Sequence, residues 1–257
     1  MKRLLYEKLA VLFLLLWLTP SLLLAKKLIV INADYGGSQT GPISGNQLSK
    51  VWNLKFALAL QQIFLAHQYK VLMIRTGDQQ IPEKSRIFQI NTSKALLAIS
   101  IQADREWTYS CQGTWVIISP PTRQPSLDSN GLEKWGSLPY SLYKQDRLIA
   151  ENIIESLNEN PKLNSWSNFY FKSTTPTSTH GRVLCLPDED IQYATIPSIV
   201  LIPMFLTSKF DLKEFSNTDR IDAYAKKIFM GIQNALNILD STQLRKRKFS
   251  GNQFGNN

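Results

Sequence analysis

Short apolar runs alternate with amphipathic segments along most of this 257-residue chain, and this alternation restricts the possible fold more than any other feature. The first run, residues 28–33, is rich in β-branched residues and ends before Gly36 and Gly37, which predicts a buried strand followed by a turn. Between residues 49 and 67 apolar side chains recur at helical spacing, which predicts a helix. Strands that alternate with crossover helices predict a three-layer α/β sandwich whose sheet is mostly parallel and twisted.

The same alternation continues to about residue 239. Further strands are predicted over residues 70–76, 95–102, 113–119, 182–186 and 198–203. Further helices are predicted over residues 83–93, 142–157 and 221–239, and a long surface loop over residues 122–139. Because 44% of the residues are hydrophobic, a chain of this length can bury one sizeable core, so residues 26–240 are predicted to form one domain.

The N-terminal 25 residues have a different composition from the rest. Three basic residues, Lys2, Arg3 and Lys8, precede an apolar run over residues 9–24 that ends at Ala25. This arrangement is typical of a secretory signal peptide, and the run is short for a membrane span. Leu23, however, stands where a small residue is preferred before the cleavage site. Residues 1–25 are therefore predicted to be a signal peptide or an uncleaved anchor, and either one predicts a location in the periplasm or cell envelope.

The formal net charge of the chain is +9, and four of the positive charges lie together in residues 245–248. A basic tail rich in Asn and Gly predicts that residues 241–257 are disordered and solvated. Attraction to anionic lipid or to acidic wall polymer is the functional alternative. No nucleic-acid-binding motif accompanies the charge, so nucleic acid is not an expected partner. Contact with a membrane is expected only through the N-terminal segment, if that segment is not cleaved.

Cys111 and Cys185 are the only two cysteines. Export would permit a disulfide between them, since disulfides persist in oxidising compartments. The alternative is two buried thiols that act as small apolar side chains. The sequence leaves both alternatives open.

Five segments, in this order, resemble the motifs of one enzyme family. They are residues 28–37, 49–54, 75–78, 100–104 and 197–206. The chain from about residue 28 to 239 thus resembles the zinc-dependent N-acetylmuramoyl-L-alanine amidases, which cleave the bond between muramic acid and the stem peptide of peptidoglycan. The resemblance implies the fold predicted above and a zinc cofactor.

The residues that carry the chemistry of this family are replaced. The family has zinc ligands where this chain has Tyr35, Ser49 and Gln102, and its catalytic glutamate where this chain has Ile202. Catalytic zinc is held by imidazole nitrogen or carboxylate oxygen, whereas a phenol, an alcohol and an amide are uncharged at neutral pH. An isoleucine cannot transfer a proton. We therefore expect that zinc is absent and that catalysis is lost.

The expected function is binding of peptidoglycan, or of a cell-wall protein, through the former substrate cleft. The expected cleft residues are Asp34, Tyr35, Arg75, Gln102, Asp104, Trp107 and His180. One alternative is an active amidase with a rearranged site. Another is a structural or interaction protein whose cleft is filled. The sequence does not specify the oligomeric state.

Overall fold

The structure, a computed structural model, describes residues 27–105, 112–119, 140–158, 183–185 and 188–251. The predicted signal peptide, Trp107, Cys111, the 122–139 loop and His180 lie outside these residues. Of Cys185 only the backbone is described, so the disulfide stays a prediction. No helix among the described residues has the length and apolar character needed to span a bilayer.

Eight strands are present in the described part of the chain. They are β1 (Leu28–Ala33), β2 (Ile43–Ser44), β3 (Gln47–Leu48), β4 (Lys70–Met73), β5 (Leu97–Ile101), β6 (Trp115–Ile118), β7 (Val183–Cys185) and β8 (Ser198–Ile202). Six of them form the central sheet in the order β4-β1-β5-β8-β6-β7. Within this central sheet, only the β6–β8 pair is antiparallel. This confirms the predicted, mostly parallel sheet. The β2–β3 hairpin was not predicted.

Helices cover both faces of the sheet. They are α1 (Ser49–Ala66), α2 (Glu83–Thr92), α3 (Tyr140–Asn158), α4 (Glu189–Gln192), α5 (Lys209–Glu214) and α6 (Thr218–Gly251). Helices α1, α3 and α6 pack together on one face, whereas α2 and α4 lie on the other. The three predicted layers are therefore present, and the short helices α4 and α5 are additions that the sequence pattern did not indicate.

The alternation of side chains along β1 explains why both faces are apolar. Ile29 and Ile31 belong to the core beneath α1, α3 and α6, whereas Val30 belongs to the core beneath α2. All three are fully buried, as expected for a parallel strand covered on both sides. Gly231 allows α6 to approach α3 closely, because a Cβ atom there would lie 2.6 Å from the carbonyl oxygen of Asn152.

Helix α6 is longer than the sequence pattern predicted. The apolar periodicity ends near Leu239, but the helix continues to Gly251. The tail predicted from residue 241 overlaps the end of this helix, and its disorder stays a prediction. Residues 241–250 contain neither Gly nor Pro, and lysine and arginine are good helix formers that the helix dipole favours near a C-terminus.

Asp146 is a buried carboxyl group on α3, at the amino end of β8. Its Oδ1 atom accepts a hydrogen bond of 2.8 Å from the backbone N–H of Ser198, and its side chain is fully buried. Its Oδ2 atom has no hydrogen-bond partner among the described residues. Burial raises the pKa of Asp146 to about 8, because the ionised carboxylate would lose its hydration.

We expect Asp146→Asn to flatten the pH dependence of stability. The pKa of Asp146 is higher in the folded state than in the unfolded state, so its contribution is fully present below about pH 4 and is lost as the pH rises towards 8. The wild-type free energy of unfolding should fall by about 2 kcal/mol more than that of the variant between pH 5 and pH 7. Urea denaturation at pH 5 and at pH 7 measures the free energy of unfolding of both proteins. An equal change between the two pH values in both proteins would contradict the prediction.

Candidate functional site

The candidate site lies at the carboxyl ends of β1, β5 and β8. These strands are adjacent and parallel, with Ala33 opposite Ile101 and Ile101 opposite Leu201. Residues that follow the strands therefore meet at one end of the sheet, which is where open α/β sheets place their ligand sites. The topology brings Tyr35, Gln102 and Ile202 to the same place, and α1 begins beside them at Ser49.

Ser49 is fully buried, and its hydroxyl group is occupied by protein atoms. The hydroxyl donates to the carbonyl oxygen of Ala103 at 2.5 Å and accepts from Nδ2 of Asn53 at 3.1 Å. A hydroxyl has one proton to donate, and this one is given to a backbone carbonyl. Ser49, which the resemblance aligns with a family zinc ligand, therefore makes structural hydrogen bonds.

Asn53 completes this hydrogen-bond network. Its Nδ2 atom also donates to the carbonyl oxygen of Asp34 at 2.9 Å, and its Oδ1 atom accepts from the backbone N–H of Ala103 at 2.6 Å. One buried amide thus connects the segment after β1 to the segment after β5. Asn53 lies in segment 49–54, which resembles a family motif, but the sequence did not indicate this role.

Tyr35 has a backbone conformation that is unusual for an aromatic residue. Its φ angle is 61°, in the left-handed region, which costs a non-glycine residue on the order of 1–3 kcal/mol. Its half-buried ring packs against Gly41, where an added Cβ atom would lie only 2.3 Å from Cδ2 of the ring. The side chain of Tyr35 is therefore packed against the segment that leads into β2.

Gln102 and Ile202 are the two other residues that the resemblance aligns with site positions of the family. Gln102 is half-buried, and its Nε2 atom donates a long hydrogen bond of 3.5 Å to Oδ2 of Asp188. Ile202 is only 3% exposed. It belongs to an apolar cluster, which we call the apolar floor, formed by Ile117, Ile191, Val200, Ile202 and Phe205. Ile202, which the resemblance aligns with the family's catalytic glutamate, is thus part of a buried hydrocarbon cluster.

Asp211 holds the end of the apolar floor in place. Its buried carboxylate accepts hydrogen bonds from the backbone N–H groups of Gly113, at 3.0 Å, and Phe205, at 2.9 Å. Burial raises its pKa to about 6, although these hydrogen bonds oppose the shift. Asp211 was not predicted from the sequence, because its partner Gly113 lies 98 residues away in the chain.

Arg75 was expected in the cleft, but the structure places it in the interior, only 4% exposed. Its guanidinium group donates to four carbonyl oxygens, those of Ala33 (2.7 Å), Gly77 (2.7 Å), Asp34 (3.2 Å) and Lys50 (2.8 Å). Burial lowers its pKa, although the nearby carboxylates of Asp78 and Asp34 oppose the shift. Arg75 therefore supports the turn after β1.

Gly36 and Gly37 form that turn, and both need the freedom of glycine. Their φ angles are 150° and 55°, and a Cβ atom on Gly36 would lie 2.1 Å from the carbonyl oxygen of Gln79. The Gly37 N–H donates to Oδ1 of Asp78 at 2.8 Å. Nζ of Lys50 donates to Oδ2 of Asp78 at 2.8 Å, which holds the pKa of this carboxyl below its ordinary value.

The two aspartates of the expected cleft have different surroundings. Asp34 is buried, and its Oδ1 atom lies 3.5 Å from Nη2 of Arg86. Asp104 is half-buried, and its Oδ1 atom accepts from the Arg105 N–H at 2.6 Å. Its backbone also pairs with the segment after β8, since the Leu206 N–H donates to the Asp104 carbonyl oxygen at 2.7 Å. Gln102 and Asp104 thus remain partly open to solvent, whereas Asp34 does not.

These residues do not fit a catalytic zinc ion. Zinc needs imidazole or anionic ligands, and the ligand positions carry a packed phenol, a hydrogen-bonded alcohol and an amide. Within the part of the chain that the structure describes, no three His, Cys, Asp or Glu residues form a group that could hold a metal ion.

Comparison with known proteins identifies the family. The model of the N-acetylmuramoyl-L-alanine amidase family matches residues 29–234. Similar solved structures include the CwlD amidase of Clostridioides difficile in complex with the GerS lipoprotein (TM-score 0.63, 17% identity, 83% of this chain and 100% of that chain). They also include an N-acetylmuramoyl-L-alanine amidase of Clostridium difficile 630 (0.62, 19%, 82% and 97%) and Ami1 of Mycobacterium smegmatis (0.62, 13%, 82% and 97%). No curated protein matches the sequence.

At these identities the solved structures show a common fold. The family match covers most of the chain. It contains Tyr35, Ser49, Gln102 and Ile202. The motif order, the sheet and the family match agree, and we conclude that this chain belongs to the N-acetylmuramoyl-L-alanine amidase family.

Proposed function

We propose that this protein is a catalytically inactive amidase domain that binds peptidoglycan, or a cell-wall protein, at the cell envelope. The observation that carries the proposal is the state of the four altered positions. The proton of the Ser49 hydroxyl is donated to a backbone carbonyl, and Ile202 is buried in the apolar floor. Neither group is available to hold a metal ion or to accept a proton from water.

The replacement of these four residues affects both zinc binding and proton transfer, the two parts of the family's chemistry. Zinc supplies a Lewis acid and lowers the pKa of bound water to about 7 in enzymes of this kind. Tyr35, Ser49 and Gln102 do not offer the donor atoms that would retain it. General acid–base catalysis contributes about 10²–10⁴-fold in rate, and Ile202 has no proton to exchange. The site residues of this chain can therefore bind a ligand without cleaving it.

Polar groups at the rim of the site support a binding function. Gln102, Asp104 and Asp188 are partly exposed, and Arg105 is exposed beside them. Amide, carboxylate and guanidinium groups can form hydrogen bonds with sugar hydroxyl groups and with peptide amides. A protein partner is also supported, because the similar CwlD amidase was solved in complex with a lipoprotein, GerS.

Purified sacculi offer a direct test of this proposal. We expect the protein to bind sacculi in the presence of zinc, to release no muropeptides, and to retain far less than one zinc ion per chain. Gln102→Ala combined with Asp104→Ala should weaken the binding, because it removes polar groups at the rim. Removal of residues 245–257 should leave binding at the site intact. Sedimentation, chromatography of released fragments and metal analysis provide the three measurements.

A variant with restored ligand types tests whether the residues at these three positions explain the expected absence of zinc. Tyr35→His, Ser49→Glu and Gln102→His together restore the family's ligand types, and this triple variant is expected to bind about one zinc ion per chain. Stoichiometric zinc and turnover in the wild-type protein would establish the alternative of an active amidase with a rearranged site. Sacculus binding that is unaffected by the rim variant would favour the alternative of a filled cleft.

A further inference from the structure

The outer side of helix α1 carries exposed apolar residues. Val51, Leu58 and Leu65 are 44%, 37% and 46% exposed, and we call these three residues the α1 stripe. The inner side of the same helix is also apolar, since Phe56 and Phe64 are almost fully buried in the core. The outer side of a surface helix is normally polar, and a helix that is apolar on opposite sides is typically covered on both. The α1 stripe therefore indicates a contact that the described part of the chain does not supply.

The α1 stripe has the spacing of a helix–helix contact. Its members are seven residues apart, and positions seven apart on an α-helix differ by only about 20° around the axis. They therefore form one row along the outside of the helix, roughly 21 Å in length at 1.5 Å per residue. Single exposed apolar residues are common on protein surfaces, whereas contiguous rows mark interaction sites. A seven-residue apolar repeat is typical of a helix that packs along another helix.

Both lysines of α1 are held at the sides of the helix, which leaves the α1 stripe without charge. Nζ of Lys50 lies 2.8 Å from Oδ2 of Asp78. Nζ of Lys55 lies 4.4 Å from the centroid of the Trp52 ring, a cation–π contact. The helix contains no Asp or Glu. An acidic partner would have to compete with these contacts, whereas a second apolar helix could cover the α1 stripe without burying an unpaired charge.

A second copy of α1 fits the α1 stripe when the two helices run antiparallel. A two-fold axis through Leu58 places this residue opposite Leu58 of the partner subunit. It also places Val51 opposite Leu65 of the partner subunit, because both lie seven residues from the axis. Lys55 then lies opposite Gln61 of the partner subunit, which carries no charge. In a parallel arrangement the two copies of Lys55 would lie opposite each other, and the like charges would repel.

The area of such a contact suits a weak but specific dimer. Helix α1 has 18 residues and therefore a length of roughly 27 Å. Two helices of this length that pack along an apolar row bury on the order of 1,000 Å² in total, at the lower end of the range for specific interfaces. We therefore expect a dissociation constant on the order of 10 μM.

We propose that the α1 stripe is a homodimer interface, in which α1 of one copy packs antiparallel on α1 of a second copy. Helix α1 begins at Ser49, beside the candidate site, so the antiparallel contact places the two candidate sites near its opposite ends. A wall ligand that reaches both sites would then be bound with avidity. This consequence rests on the proposed function, whereas the interface itself does not.

Sedimentation velocity of the full chain over a range of concentrations tests the interface. Leu58→Glu should raise the dissociation constant by about 100-fold or more, because two carboxylates would meet at the two-fold axis, and Leu58→Lys should have a similar effect. An equimolar mixture of the two variants should form a heterodimer within about tenfold of the wild-type affinity, because opposite charges then meet at the axis. Any association through residues 1–25 is common to all variants, so the differences report on α1.

A double variant distinguishes the antiparallel arrangement from a parallel one. Val51→Glu and Leu65→Lys in the same chain place a carboxylate opposite an ammonium group only if the two helices run antiparallel. This double variant should dimerise about tenfold more tightly than either single variant. Weaker dimerisation of the double variant than of the single variants would overturn the proposal, since like charges would then lie opposite each other.

Phe88→Glu is the matched control, because Phe88 is 67% exposed on α2, which lies on the opposite face of the sheet. It should leave the dissociation constant unchanged. A wild-type protein that stays monomeric at about 500 μM would overturn the proposal. Equal effects of Leu58→Glu and Phe88→Glu, or a mixture of the two Leu58 variants that does not associate, would also overturn it. Binding of a monomeric protein to phosphatidylcholine vesicles that Leu58→Glu abolishes would assign the α1 stripe to a membrane instead. None of these outcomes depends on sacculus binding.

Discussion

Arg75→Met is expected to lower the free energy of unfolding by about 3–5 kcal/mol. The guanidinium group of Arg75 donates to four backbone carbonyl oxygens, and these come from β1, from the turn after it, from the first turn of α1 and from the segment after β4. A hydrogen bond to a charged group contributes about 1.5–3 kcal/mol, and a buried acceptor left without a donor adds a further cost. The contributions are not additive, so the expected loss is smaller than their sum.

Urea denaturation of the purified domain measures this loss. Arg147→Met is the matched control, because Arg147 is exposed and pairs with Glu151 one turn along α3. Such a surface pair contributes less than about 1 kcal/mol. A similar, small effect of both substitutions would contradict the role that we assign to Arg75. A large effect of Arg75→Met alone would show that Arg75, in the motif over residues 75–78, supports the turn around Gly36 rather than a ligand.

Ile202→Glu is expected to destabilise the protein by about 3–5 kcal/mol at pH 7. The side chain of Ile202 is 3% exposed and packs within the hydrocarbon groups of the apolar floor. An ionised carboxylate there would lose its hydration without a partner. Because burial would raise the pKa of the new carboxyl, its cost should decrease as the pH falls towards 4.5, where the group can be protonated in the folded state.

Ile202→Leu is the control for this substitution. It conserves volume and apolar character, and it should cost less than about 1.5 kcal/mol. Thermal denaturation at pH 4.5 and pH 7 separates the cost of the charge from that of the shape. If Ile202→Glu were tolerated at pH 7, the apolar floor would have to be open to water, as an active amidase requires. That result would favour the rearranged enzyme over the inactive binding protein.

Several parts of the site were predictable because they depend on local sequence. The strand over residues 28–33 and the turn at Gly36 and Gly37 follow from hydrophobicity and from backbone conformation, which neighbouring residues largely determine. The order of the motifs predicted the replacements at Tyr35, Ser49, Gln102 and Ile202. In the structure the parallel strands β1, β5 and β8 bring Tyr35, Gln102 and Ile202 to one end of the sheet.

Other parts depend on contacts between distant segments. The sequence placed Arg75 in the cleft, but the structure buries it among the carbonyl oxygens of Ala33, Asp34 and Lys50. Asp211 and Asn53 likewise bind backbone groups far away in the chain, and no local pattern identifies such partners. Helix α6 continues beyond its apolar pattern, because propensity and the helix dipole can extend a helix that packing has already started.

The sequence alone determined the alternation of strands and helices and the order of the family motifs, and it predicted the loss of the four functional side chains. These features need only the residue types and their spacing. Only the tertiary structure decided which buried groups satisfy one another, that Ser49 donates to Ala103, and that Asp240 of α6 lies beside Lys27. The physical reason is that hydrogen bonds and ion pairs depend on distances in space, and these distances are fixed only when the sheet brings remote segments together.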